Sequence, residues 1–134
     1  MRAQHMNFVE SRLLGIQIDE TGRHVVLSFI DTACAKFSFE LNDVERLLIN
    51  EVRQQNVMEG MTHWTQRAPS EGLREAAFAL MTGATEKDCA PALVAVALNV
   101  VDRVVSGEIS ILETRAVFGA MILASFGSMS LRDV

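Results

Sequence analysis

The chain has only two cysteines, Cys34 and Cys89, far apart in the sequence. No Cys-x-x-Cys occurs and no histidine cluster accompanies them, so a metal centre is not expected. Two buried thiols in a reducing compartment are the expected state, with a single disulfide as the alternative. Basic residues are also scarce: 12 Lys and Arg stand against 17 Asp and Glu, a net charge of −5. Residues 1–67 carry seven basic and nine acidic groups, and residues 68–134 five and eight, so neither half holds a basic stripe. Without one, nucleic acid and anionic membrane surfaces are disfavoured as partners. Gly-rich phosphate loops and the Gly-x-Ser-x-Gly elbow are missing. So are long apolar runs. The N-terminal MRAQHMNF has no apolar core, so a secretory signal is not expected, and Met6 offers a second start. The longest uncharged stretch, AVFGAMILASFGSMSL at 116–131, is too short and too mixed for a good membrane span. These absences predict a cytoplasmic chain with no metal and no cofactor.

What is present suits a folded domain. The chain has 134 residues, 49% hydrophobic and 22% charged, enough to build a core without staples. One domain over 1–134 is expected, with a β-rich part at 7–66 and a helical part at 70–128. The seam is Gln66-Arg67-Ala68-Pro69-Ser70, where Pro69 forces Ala68 into an extended conformation.

The first third alternates with a period of two, the pattern of half-buried strands. In SRLLGIQID (11–19), Leu14, Ile16 and Ile18 share a face. In RHVVLSFID (23–31), Val25, Leu27 and Phe29 do. In AKFSFEL (35–41), Phe37, Phe39 and Leu41 do. Asp19-Glu20-Thr21-Gly22 and DTACA supply the turns, which predicts an antiparallel meander. LNDVERLLI then changes period. Asn42-Asp43-Val44-Glu45 resembles a capping box, and a short helix is predicted up to Asn50. A strand is predicted from Val52 to Trp64, with Asn56, Met58, Gly60, Thr62 and Trp64 on one face and Val57, Glu59, Met61 and His63 on the other. A helix continuing to residue 55 is the competing reading.

Three helices should follow. Ser70 caps the first, in which Leu73, Ala76, Ala77, Leu80 and Met81 form an amphipathic stripe. The second starts near Pro91 and runs to about Ser106; its ALVAVALNVV is apolar all round, so it belongs in the core or at an interface. The third is predicted from Ser110, with Ser110-x-x-Glu113 as capping box, to about Phe126. The expected fold is therefore α+β: an antiparallel sheet of about four strands with a short inserted helix, then three helices on one face.

Candidate chemistry is sparse. Ser28, Thr32, Cys34 and Thr62 could be nucleophiles, with His24 or His63 as base, but no spacing marks any of them as catalytic. The paired carboxylates read as turn formers, caps and solvated helix faces. One stretch stands out: LINEVRQQNVMEGMTHWT, residues 48–65. Its Arg53, Gln54, Gln55, Asn56, His63 and Trp64 are residue types that build specific interfaces. Arg53, Gln55, Asn56, His63 and Trp64 are the candidate partner-binding set; the plainer reading is a polar strand face with Trp64 packed under the helices.

Three functions remain in view. The first is a non-catalytic protein-binding module, of inhibitor or immunity type, that meets a basic partner by charge complementarity. The second is a scaffold that forms a homodimer through its apolar C-terminal helices. The third is a small-ligand binder or enzyme with a pocket between sheet and helices, using His24 or His63 with Arg53.

Overall fold

The computed structural model describes residues 8–66 and 68–133. Met6 and Arg67, the latter in the predicted seam, lie outside the described residues. Among the described residues, eight strands and two helices form in the order β1 (Arg12–Ile18), β2 (His24–Ile30), β3 (Lys36–Asn42), β4 (Arg46–Asn50), β5 (Val57–Trp64), α1 (Glu71–Thr82), α2 (Pro91–Val105), β6 (Ser110–Phe118), β7 (Met121–Phe126) and β8 (Ser128–Asp133). A 3-10 turn, Glu86–Asp88, joins the helices. All the strands belong to one antiparallel sheet of order β4-β7-β6-β5-β1-β2-β3-β8.

The two ends of that order are one ribbon. β3 passes into β4 through Asp43–Glu45, and β7 into β8 through Gly127 alone. β3 pairs with β8, and β4 with β7. Bonds from Gly127 N to Asn42 O and from Glu45 N to Ser125 O, both 2.9 Å, carry the ribbon around its corner. The sheet therefore rolls up, and its two halves share one interior. That interior holds Val25, Leu27 and Phe29 from β2 and Phe37, Phe39 and Leu41 from β3. Met58, Leu112, Ile122 and Phe126 face them from the other half. Phe29 stacks on Phe37 at 5.4 Å and meets Phe39 edge-on at 5.8 Å.

The helices cover the outer face of the β4-β7-β6-β5 half. Leu73, Ala76, Ala77 and Leu80 of α1 and Val100, Val101 and Val104 of α2 pack there with Ile111, Leu123, Leu48 and Trp64. Local chemistry starts and stops α1 as its sequence suggests. Ser70 Oγ accepts from Leu73 N at 3.2 Å, and Gly83 takes the left-handed conformation at φ 72°. Pro91 opens α2, where its missing N–H costs nothing.

The expected four-strand sheet with three helices is thus corrected to eight strands with two. The inserted helix at 42–50 is strand β4. Asp43 sits in the left-handed region at φ 55° and breaks any helix. Leu47 and Ile49 then reach the rolled-up interior while Leu48 reaches the helices. The predicted last helix, 110–126, is the hairpin β6–β7, with Leu112 on the interior and Ile111 under the helices. A homodimer through two C-terminal helices is left with α2 alone as its helix. Residues 51–56 form a loop, so the predicted strand begins at Val57 instead of Val52.

Two face assignments also shift. A bulge between Leu13 and Gly15 turns Leu13 and Ile16 inward and leaves Leu14 51% and Ile18 55% exposed. Irregularities on either side of Met58 place Met58 and Met61 on the same interior. The thiols are free but not buried as expected: Cys34 is exposed on the β2–β3 turn and Cys89 is half-buried.

One ion pair ties the helical layer to the sheet. Arg103 of α2 donates to both carboxylate oxygens of Glu45 at 2.7 Å and also pairs with Glu108. The Arg103 hydrogen bond holds the Glu45 carboxyl below its ordinary value of 4.5. A carboxyl whose folded value is depressed stabilises the fold above its unfolded value, and that contribution is lost as pH falls through the folded value. Arg103→Met should therefore melt below the wild type at pH 7, and the gap should narrow below about pH 4.5. Thermal melts of both chains from pH 7 to pH 3 check this. A gap constant across the range would assign the effect to packing of the arginine stem.

Candidate functional site at the hairpin tip

The β6–β7 hairpin turns at Gly119-Ala120, and the loop 51–56 lies against it. Asn56 joins the two. It is 5% exposed. Its Oδ1 accepts from Arg53 N at 2.8 Å and from Ala120 N at 2.9 Å, and its Nδ2 donates to Arg53 O at 2.8 Å. Its backbone oxygen accepts from Leu13 N at 2.9 Å, which brings in β1. Gly119 makes this approach feasible. It has φ 91°, and a Cβ there would lie 2.9 Å from both Asn56 Cα and Gln55 O. A buried amide that makes three side-chain bonds is a rigid clamp.

The clamp presents an apolar surface to solvent. Val52 is 61% exposed, Val117 66%, Phe118 51% and Met121 44%. Arg53 lies over the Phe118 ring, 5.1 Å from its centroid. Such a stack holds the guanidinium and the ring in one orientation. Gln54 and Gln55 flank it in the exposed loop. Register sets Phe118 beside Val57 and Met121 beside Asn50 at this end of the sheet, and strand alternation puts Phe118 on one side of the tip and Val117 and Met121 on the other. Arginine, phenylalanine and methionine on a fixed frame are the composition of interface centres.

The five candidate residues divide. Arg53, Gln55 and Asn56 meet at this tip, with Asn56 as its support. His63 and Trp64 lie at the other end of β5, roughly 20 Å away at about 3.3 Å per residue. His63 stacks on Phe126 at 5.9 Å. Trp64 packs among the helical-layer residues, and its Nε1 donates to Glu113 Oε1 at 3.2 Å. A Cβ on Gly72 of α1 would lie 2.8 Å from the indole, so sheet and helix meet closely there. His24 is remote as well. It pairs with Glu40 at 3.2 Å, and Arg132 closes on the same carboxylate. No hydroxyl or thiol among the described residues bonds to His24. The structure does not bring either histidine to Arg53.

Val52, Val117, Phe118 and Met121 were not singled out in the sequence. For Val117, Phe118 and Met121 the signal is Gly119 inside an apolar run, which marks a turn as readily as a packed helix; nothing in the sequence marks Val52. No group of three or more His, Cys, Asp or Glu among the described residues could hold a metal. No helix among them is long and apolar enough to cross a membrane. Two grooves flank the helical layer. One, of about 990 Å³, lies between α1 and the segment 83–88; Glu71, Glu75 and Asp88 line it, and the Arg74–Glu86 pair crosses it. The Arg74 hydrogen bond holds Glu86 below the usual glutamate range. The other, of about 510 Å³, lies between α2 and β4.

No protein-family model, curated protein or solved structure matches this chain.

Proposed function

We propose that the chain is a non-catalytic protein-binding module of the cytoplasm that docks the β6–β7 tip on a protein partner, in the manner of an inhibitor or immunity protein. The observation that supports this is the exposed apolar patch around Phe118, held rigid by Asn56 and topped by Arg53. A fixed apolar centre with a polar rim binds without first ordering itself, which saves much of the entropic cost of association. The net charge of −5 favours a basic partner and speeds the encounter.

The test is quantitative capture from the native cells on immobilised wild-type chain and on Phe118→Ser. Phe118 is half exposed, so the serine chain should fold. One partner, retained in stoichiometric amount by the wild type, should weaken about 100-fold on the variant, the scale of an interface hot spot. Equal retention by both chains would remove the tip from the reading.

A further inference from the structure

We infer that the groove between α2 and β4 seats a second copy of this chain, with the two α2 helices antiparallel across a twofold axis. From Pro91 to Val101 the only polar residue of α2 is Asn99, yet the helix buries only Ala97, Val100, Val101 and Val104. Leu93 and Val96 stay 40% and 41% exposed. Leu93 stands beside the groove of about 510 Å³, and Val96 forms part of its wall with Ala95, Asn99, Arg46 and the Arg103–Glu45 pair. Leu93 and the groove wall share one helix. A twofold axis across α2 sets each Leu93 into the groove of the other copy, the self-complementary arrangement of a closed dimer. Ala92, Ala95, Val96 and Asn99 fall at i, i+3, i+4 and i+7, and the two alanines let helix axes approach to about 8 Å.

Charge favours a copy of this chain on that face. Two chains of net charge −5 repel over most of their surface. The stretch Ala90–Val101 carries no charge, so the copies meet there without setting acid against acid. The ends of the helix are complementary. Asp88 is exposed just ahead of α2, and Arg46 is exposed on the groove beside Asn99 and Arg103. Neither forms an ion pair among the described residues. Antiparallel helices bring opposite ends together, so Asp88 of each copy meets Arg46 of the other. Symmetry makes this contact twice. The area is modest. A dozen residues per copy, at roughly 35 Å² each, bury about 400 Å², half of a standard interface. The pair should be weak, with a dissociation constant in the range of about 10–100 µM.

Sedimentation velocity of the full chain over a wide concentration range tests this. The wild type should pass from monomer to dimer through the micromolar range. Val96→Glu should stay monomeric at every concentration with an unchanged circular dichroism spectrum and melting temperature. Ala92→Glu, at an exposed position one turn earlier, should do the same and serves if the first variant folds poorly. Arg46→Asp and Asp88→Arg should each weaken the dimer about tenfold, and both changes in one chain should restore it. Phe118→Ser should leave the dimer intact, which separates this surface from the hairpin tip. A chain that stays monomeric in the hundreds of micromolar overturns the inference. So does a dimer that survives both Val96→Glu and Ala92→Glu, or one that Phe118→Ser abolishes. A charge-swapped chain that stays as weak as its single parents overturns the antiparallel pairing.

Discussion

Phe39→Ala should destabilise the fold by about 3–5 kcal/mol, the range for truncating a buried aromatic. Phe39 is fully buried. It meets Phe29 at 5.8 Å, Phe37 at 6.0 Å and Phe8 at 6.3 Å, all edge-on. Its loss removes one member of each of these aromatic contacts at once and leaves a cavity that strands on two sides must close around. A domain of this size holds about 5–15 kcal/mol in total, so a large part of the margin goes. Urea denaturation followed by the fluorescence of the single tryptophan reads the loss. The midpoint should fall steeply with little change in slope. A loss below about 1.5 kcal/mol would mean that the site collapses easily, as it would on the inside of an open sheet with no facing half.

Asn56→Ala should cost about 3 kcal/mol, an effect unusual for a loop residue. The substitution strips partners from Arg53 N, Arg53 O and Ala120 N in one step. Each backbone group left unpaired in a buried setting costs about 1–3 kcal/mol, and water entering the exposed side of the loop should recover part of that. The consequence for function should exceed the loss of stability. Without the clamp, the loop no longer holds Arg53 over Phe118, and the tip becomes a flexible apolar surface. Hydrogen exchange at Ala120 N should accelerate far more than exchange in β2, and retention of the partner should fall with it. Equal acceleration in both places would show global destabilisation with no local role for the clamp. Gly119→Ala should reproduce the effect from the other side, because its Cβ would press on the Asn56 backbone at a positive φ.

Part of this architecture was legible in the sequence, and the physical reason is wetting. β2 and β3 have one buried face and one partly wet face, so Val25, Leu27 and Phe29, and then Phe37, Phe39 and Leu41, declare themselves by alternation. α1 declares itself by its stripe, its Ser70 cap and the glycine that ends it. β4, β6 and β7 lie between the rolled interior and the helices. With apolar side chains on both faces, LLI and MILASF lose alternation, and such runs read equally well as helix. Ser110-x-x-Glu113 looked like a capping box. Instead, Ser110 is a buried strand residue and Glu113 accepts from Trp64. β8 is legible too: SMSLRD alternates plainly, with Met129 and Leu131 packed on the interior. Bulges at Leu13 and around Met58 insert a residue without any mark in composition, which is why the inward faces of β1 and β5 were misplaced. At the candidate site, Arg53 and Gln55 could be seen as interface types from sequence. Phe118 could not, because it becomes exposed only once β6 and β7 form a hairpin instead of a helix.

The most direct test of the hairpin tip as a docking surface is photo-crosslinking in the native cells. A photoreactive phenylalanine analogue would replace Phe118 in one chain and Ser130 in another. Ser130 is exposed on β8, beyond the Gly127 corner and paired with Glu40 of β3. A single protein adduct formed from position 118 and absent from position 130 is the predicted result. Adducts of equal yield from both positions, or none from position 118, would contradict it.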